Sequence, residues 1–267
     1  MDNAWWSILI FLFTTFVYYY LVPSPTMESF SSGQSSNYTY LAIYVFVVML
    51  GQFGLNAAII NSTCGGTTAE TLSSAGFYTF IPWTLVFGVL ALILIVYPGF
   101  KSAFSDVVGY FWVSGGVKKI LDTLLMNAAP SADSKESDSN MQSVSDMIVK
   151  IYSNNSLLVN QIVPSNFDKY WGILQPLMKP EYRGDGGNEL KGQFFQLVTT
   201  RDKIGECMWY LYAGVLVVSL VQLNIATGGC VSSPATMARR NQQFLAESEA
   251  ANKKKQLAAS TTYKIAA

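Results

Sequence analysis

The side chains that could do chemistry in this sequence are few, and histidine is absent from all 267 positions. Without histidine, Ser-His-Asp and Cys-His catalysis, His-ligated metals and histidine-based pH sensing are excluded. Carboxylate, lysine and thiol chemistry stay open in principle. Because no recognisable constellation of these groups is present, we expect the chain not to be an enzyme and to require no cofactor or metal.

Two stretches superficially resemble ligand sites, and both fail on spacing. The stretch "GYFWVSGGVKK" approaches a lysine through glycines, but the spacing from Gly109 is wrong for a phosphate-binding loop and no Ser or Thr follows the lysine. The stretch "ESDSNM" offers oxygen atoms at alternate positions. However, Met141 stands where a calcium loop needs glycine, and Met147 stands where it needs a bidentate Glu. We expect neither stretch to bind a ligand.

Four amide side chains lie in otherwise apolar runs. Gln52 and Asn56 are four residues apart, which places them on one face of a helix. Gln222 and Asn224 lie in a second apolar run. Amides in a membrane favour hydrogen bonds between helices, which contribute about 0.6 to 2 kcal/mol each. A solute pathway lined by the same amides is the alternative.

Membrane-spanning helices must position these residues, because four long runs of the chain carry no charge. The runs are Trp5–Val22, Tyr40–Ile60, Phe77–Tyr97 and Cys207–Ala226. At about 1.5 Å per residue, runs of this length match the roughly 30 Å hydrocarbon core of a bilayer. Charged residues make up only 13% of the chain, about half the ~25% of soluble domains. The sequence therefore predicts an all-α membrane protein with four transmembrane helices.

The spans divide the chain into four regions. Residues 1–97 hold the first three transmembrane helices with short loops, including the loop Asn61–Gly76, and residues 98–206 form a small, mostly helical soluble domain. Residues 207–226 are the fourth transmembrane helix, and residues 227–267 are a polar, basic tail. Since no proline interrupts Asn188–Ala226, we expect one helix to run from the domain into the membrane.

Helical signals are also visible inside the domain. Apolar residues at helical spacing predict an amphipathic helix that starts after Gly115-Gly116, and a second around Ile148. Between them, Pro130–Asn140 is small, polar and charge-mixed, which is typical of a linker. Gly205, near the membrane edge of the long helix, is the expected place for a kink.

This topology determines the membrane face on which the cysteines and the sequons lie. With four spans, Cys64 and Cys230 emerge on the same membrane face, so a disulfide between them is allowed; two unpaired thiols are the alternative. Six basic tail residues against two acidic ones predict that both termini are cytosolic. The sequons at Asn37 and Asn154 would then lie on the opposite face, where they could be glycosylated.

The segment Thr200–Leu220 resembles a stretch near the C-terminal span of membrane proteins from nucleocytoplasmic large DNA viruses. In that group a Thr-Arg-Asp triplet leads into an aromatic-rich span that ends near a cysteine, as Thr200-Arg201-Asp202 and Cys230 do here. The match covers about thirty of the 267 residues. Such viruses enclose a bilayer inside an icosahedral shell, and minor capsid proteins that span the membrane tie the two together.

The resemblance implies a structural protein of the virion inner membrane that anchors this membrane to the capsid shell. Its partners would be the lipid bilayer and capsid or other membrane proteins, with no nucleic acid required. A tetraspanin-like membrane adaptor is one alternative, although residues 98–206 lack the cysteines of that family. A channel or transporter subunit is another, although no predicted span contains an acidic residue.

Overall fold

The structure is a computed structural model that describes residues 2–31, 38–64, 68–126, 139–227 and 234–264. Within these ranges the regular structure is helical, apart from one isolated antiparallel bridge between Leu125 and Met178. The α-helices in chain order are α1 (Asp2–Leu21), α2 (Met27–Ser31), α3 (Tyr38–Cys64), α4 (Thr68–Pro82), α5 (Val89–Val96), α6 (Ser102–Phe104), α7 (Tyr110–Leu124), α8 (Ser139–Ser153), α9 (Asn155–Gln161), α10 (Phe167–Leu174), α11 (Asn188–Thr227) and α12 (Pro234–Lys264). The π-helical segments Trp83–Gly88 and Ser105–Gly109 join α4 to α5 and α6 to α7.

Three helical stretches in the described ranges are long and apolar enough to cross a membrane. They are Tyr38–Cys64, Ala69–Val96 and Gly184–Thr227, the last of which includes all of α11. The apolar stretch Trp5–Leu21 in α1 is shorter. The all-helical fold is confirmed for the described residues, and this measure gives three candidate spans rather than the four predicted. The length and composition of these helices indicate a membrane protein.

α1 and the three candidate spans form a bundle that exposes large apolar side chains on its outside. Phe13 is 70% exposed and Leu85 is 63% exposed, and similar side chains continue along the other helices. Soluble monomers rarely present such a continuous apolar surface to water. In a bilayer the same surface would contact lipid tails.

Aromatic rings fill the interior of this bundle. Four almost completely buried rings contact one another there: Phe11 of α1, Trp83 and Phe87 of the stretch Ala69–Val96, and Tyr210 of α11. Phe11 also lies against Gly214, where a Cβ atom would come within 1.9 Å of the Phe11 ring. The missing side chain at position 214 therefore lets α1 pack directly on α11.

The helices from α7 to α10, called the domain from here on, pack with the first half of α11 around a separate apolar core. Apolar residues of α7, α9, α10 and the first turns of α11 are buried together there, including Leu121, Val159, Trp171, Phe194 and Val198. The 3-10 turn Gln175–Leu177 and the bridge at Met178 close this core against the end of α7. Burial of these side chains in one cluster stabilises the packing of the domain on α11.

α11 is a single helix of 40 residues that carries both cores. The chain from α6 to α7 packs antiparallel against it: Gly205 of α11 lies against Ser105, and Gly109 lies against Arg201. At both glycines an added Cβ would approach the neighbour to less than 3 Å. The α-helix continues through Gly205, where the missing side chain permits close packing against Ser105. The kink predicted at this glycine stays a prediction.

Several predicted boundaries differ from the structure. The loop predicted at Asn61–Gly76 is mostly helical, since α3 reaches Cys64 and α4 begins at Thr68. No proline interrupts this stretch, and its small residues are compatible with a helix even though they are not apolar enough to predict a span. α7 begins at Tyr110, before the predicted start, and continues through Gly115-Gly116. Gly116 lies inside the helix and contacts Leu197 of α11. Most of the predicted linker Pro130–Asn140 lies outside the described residues.

Candidate functional site

A cluster of neutral polar side chains lies in the interior of the membrane-spanning bundle. Ser7 Oγ donates to Gln52 Oε1 at 2.8 Å, and Gln52 Nε2 donates back to the Ser7 carbonyl at 2.9 Å. Asn56 Nδ2 donates to Thr79 Oγ1 at 2.8 Å. Gln222 Nε2 then donates to Asn56 Oδ1 at 2.9 Å. These hydrogen bonds connect α1, α3, α4 and α11.

The side chains of this amide cluster form hydrogen bonds between helices. Ser7, Gln52, Asn56 and Thr79 are almost completely buried. Each amide is engaged by a neighbouring helix, and the cluster contains no ionisable group. Asn224, which the sequence grouped with Gln222, is exposed on another side of α11 and lies outside the cluster. The structure thus brings together three of the four predicted amides.

A second cluster, which is charged, lies where the bundle meets the domain. Lys101 Nζ lies 2.5 Å from Glu206 Oε2 and 3.4 Å from Asp202 Oδ2. Tyr19 Oη of α1 donates to Glu206 Oε1 at 3.2 Å, and Lys203 Nζ donates to the Val22 carbonyl. Burial lowers the pKa of Lys101, but the carboxylates of Glu206 and Asp202 outweigh this effect and raise the pKa above its usual value.

The buried Arg201 fixes the domain on α11. Its guanidinium is only 1% exposed. Nη1 donates to the Val159 carbonyl, and Nη2 donates to the Ile162 carbonyl at 2.9 Å. Val159 lies in the last turn of α9 and Ile162 is its C-cap residue; the Val159 carbonyl also accepts the Ile162 N–H at 3.1 Å. Arg201 therefore acts as a C-terminal cap for another helix and holds it against α11.

A cavity of about 580 Å³ lies beside the charged cluster. Its walls come from the ends of α1, α3 and α5 that face the domain, from α2, from Val163–Ser165 and from α11. The charged side chains on its surface are Lys101, Asp202, Lys203 and Glu206. The volume lies within the roughly 300–1,000 Å³ range of small-molecule sites. This cavity is the candidate functional site of the described structure.

The other predicted site residues lie away from this cavity or cannot be placed. Cys64 ends α3, is half-buried and is disulfide-bonded, whereas Cys230, its predicted partner, lies outside the described residues. Cys207 is a free thiol on α11. Asn154 is exposed just before α9, and Asn37 lies outside the described residues. Within the described ranges, no group of three or more Cys, Asp or Glu side chains is arranged to hold a metal ion.

Sequence reasoning missed the charged cluster, although part of its signal was present. Asp202 and Glu206 are four residues apart and therefore share one face of the predicted helix. Lys101 follows directly after the third span and so had to lie near the same membrane edge. The two signals are 100 residues apart in the chain, and only the fold brings them together.

Comparison of the chain with family models, with curated proteins and with solved structures finds no match. The site is therefore interpreted from its own geometry and chemistry.

Proposed function

We propose that this chain is a structural protein of a large DNA virus, located in the inner membrane of the virion, where it anchors that membrane to the capsid shell. The observation that carries the proposal is the continuity of α11. One unbroken helix contributes to the core of the domain and to the core of the bundle. A pull on the domain would therefore be transmitted to the bilayer without a flexible hinge.

The residues that carry the viral resemblance lie at the joint between domain and bundle. Arg201 caps α9 and thereby holds the domain, while Asp202 lies one position further along and pairs with Lys101 beside the third span. Two of the three residues of the Thr-Arg-Asp triplet thus contribute to the rigid coupling. This supports a mechanical role for the segment that resembles viral membrane proteins.

We further propose that α1 is a fourth transmembrane helix. Ser7 near its start contacts Gln52 and Gln222, and Tyr19 near its end contacts Glu206. On α11, the distance from Glu206 to Gln222 is 16 residues, or about 24 Å. α1 therefore accompanies α11 through most of the hydrocarbon thickness. Four spans would place both chain ends on one face of the membrane, opposite the domain.

The cavity favours a channel or transporter subunit as the second candidate function. Its charged lining lies at the membrane edge, where a solute could enter the bundle. The amide cluster deeper in the bundle is fully engaged in hydrogen bonds, which argues against a continuous path. A flux assay in liposomes separates the two functions, because an anchor requires no transport. A tetraspanin-like adaptor would instead associate with other membrane proteins in the absence of any capsid.

The decisive experiment has two parts. The chain should be present in purified virions at a fixed ratio to the major capsid protein. In addition, Ile204→Pro should break α11 between the domain and the span, since an interior proline costs about 3 kcal/mol or more and kinks the helix. We expect this variant to reach the membrane but to be lost from particles.

The matched control is Ile204→Val, which keeps the half-buried side chain and the helix. It should enter particles normally. Normal particle incorporation of Ile204→Pro would show that rigid coupling through α11 is not needed, and absence of the chain from purified virions would overturn the viral assignment itself.

A further inference from the structure

The cavity beside the charged cluster has an apolar side and a charged side. Leu41, Leu94 and Ile95, at the domain-facing ends of α3 and α5, line the side toward the membrane interior. At the membrane edge the cavity is lined by four charged residues, Lys101, Asp202, Lys203 and Glu206. Its far side is lined by Val163–Ser165 of the domain. A ligand that fills this space must therefore be amphipathic, with its polar end toward the domain.

The charges of the cavity favour a ligand with no net charge. Two lysines face two carboxylates, so a singly charged ligand would leave one charge unbalanced in a partly desolvated site. Lys101 is engaged by both carboxylates. Lys203 donates to the Val22 carbonyl, which uses one of its three N–H donors. A zwitterion would place its anionic group at Lys203 and its cationic group at the Asp202 carboxylate.

An unsatisfied hydroxyl marks the inner end of the cavity. Tyr210 lines the cavity and is 0% exposed, yet its Oη has no hydrogen-bond partner among the described residues. A buried hydroxyl without a partner costs about 1–3 kcal/mol. Tyr210 lies one helical turn, or about 6 Å, below Glu206 on α11. A ligand with a carbonyl oxygen one turn below its charged group would satisfy this hydroxyl.

We propose that the cavity binds one zwitterionic glycerophospholipid. Its phosphate pairs with Lys203, its ammonium group lies at Asp202, and an ester carbonyl accepts a hydrogen bond from Tyr210. The acyl chains leave the cavity between α3 and α5, where Tyr38 is 56% exposed and Ile95 is 39% exposed on the lipid-facing surface. The lipid would thus fill the joint between bundle and domain, independently of any capsid partner.

The test uses the full chain, reconstituted into nanodiscs that contain equal parts of phosphatidylethanolamine, phosphatidylcholine and phosphatidylglycerol. After transfer into mild detergent, native mass spectrometry should detect one retained phospholipid per chain, and it should be one of the two zwitterionic lipids. Tyr210→Phe removes only the unsatisfied hydroxyl and should reduce retention about 2- to 10-fold, as expected for one neutral hydrogen bond. Lys203→Met should reduce it by about 10-fold or more, since the lost bond is to a charged group.

Tyr212→Phe is the matched control, because Tyr212 is a 59% exposed tyrosine of α11 that does not line the cavity. Its lipid retention should equal that of the unchanged chain. An excess of inorganic phosphate should not displace the lipid, since phosphate alone cannot occupy the apolar side. The proposal is overturned if no lipid is retained, if phosphatidylglycerol is preferred, if phosphate displaces the lipid, or if Tyr210→Phe retains lipid as well as Tyr212→Phe.

Discussion

Replacement of Arg201 by methionine tests how the domain is held on α11. Methionine keeps much of the buried side-chain volume but removes both donors to the carbonyls of Val159 and Ile162. Hydrogen bonds to a charged group contribute about 1.5–3 kcal/mol each, so the two together contribute roughly 3–6 kcal/mol. Removal of a buried charge also removes its desolvation penalty, and we therefore expect a net loss of about 2–4 kcal/mol.

The loss should be local, because the two carbonyls belong to one short segment. Hydrogen-exchange mass spectrometry of the purified protein in detergent measures it as faster exchange of the amides in α9. A loss of about 2–4 kcal/mol corresponds to roughly 30- to 800-fold faster exchange there. Exchange in the membrane-embedded half of α11 should stay unchanged, since the bundle core does not depend on this arginine.

Arg183→Met is the matched control. Arg183 also donates to two backbone carbonyls, those of Met178 and Pro176, at 3.0 and 3.1 Å, but it is exposed to solvent. Water can replace its bonds, so we expect a loss of less than about 1 kcal/mol. If Arg201→Met and Arg183→Met have equal effects, or if α9 exchanges at its original rate without Arg201, then the guanidinium does not hold the domain.

Three further predictions concern the membrane-spanning bundle. Gln52→Leu should destabilise the folded protein in detergent by about 0.6–2 kcal/mol per hydrogen bond lost, measured by thermal unfolding; Asn224→Leu, at an exposed amide, should cause no loss, and equal losses would contradict the assigned role of the cluster. The protein should remain in the membrane pellet after alkaline carbonate extraction, because spanning helices cannot leave the bilayer as peripheral proteins do; substantial release would exclude membrane-spanning helices. Protease protection of tags at the C-terminus and within residues 131–140 should be opposite in sealed vesicles, and cleavage of both from one side would mean that α11 does not cross the membrane.

The apolar helices were predictable because the composition of a single segment determines whether it forms such a helix. A long uncharged run specifies a membrane helix by itself, because every backbone group must be paired within the helix. The ends of the helices were less predictable. α4 begins at Thr68, nine residues before the predicted span, because small polar residues continue a helix once an apolar run has started it.

The amides show how helical geometry limits such a prediction. Successive residues of an α-helix are about 100° apart, so Gln52 and Asn56 are about 40° apart and share one face. Gln222 and Asn224 are about 200° apart, and only one of them can face the bundle interior. The prediction that both amides make interhelical contacts was therefore wrong for one of them, and the packing shows that Gln222 is the one inside.

The charged cluster and the Arg201 cap were not predictable in this way, because their partners are distant in the chain. Lys101 and Glu206 meet only after the stretch Ala69–Val96, which precedes Lys101, has packed against α11. Similarly, the carbonyls that Arg201 binds are 42 and 39 residues away. Nothing in the local pattern distinguishes this arginine from an ordinary surface residue at a membrane edge.

The position of the cavity connects the two proposals. Its far side is the domain segment Val163–Ser165, and its opposite side consists of the ends of the spans. The domain segment directly follows Ile162, whose carbonyl is held by Arg201. A force on the domain that moved this segment would change the shape of the cavity. A lipid that binds the original shape more tightly would resist the movement by the difference between its binding free energies for the two shapes. Lipid retention should therefore fall in Arg201→Met even though Arg201 does not line the cavity, because the cap positions one of its walls.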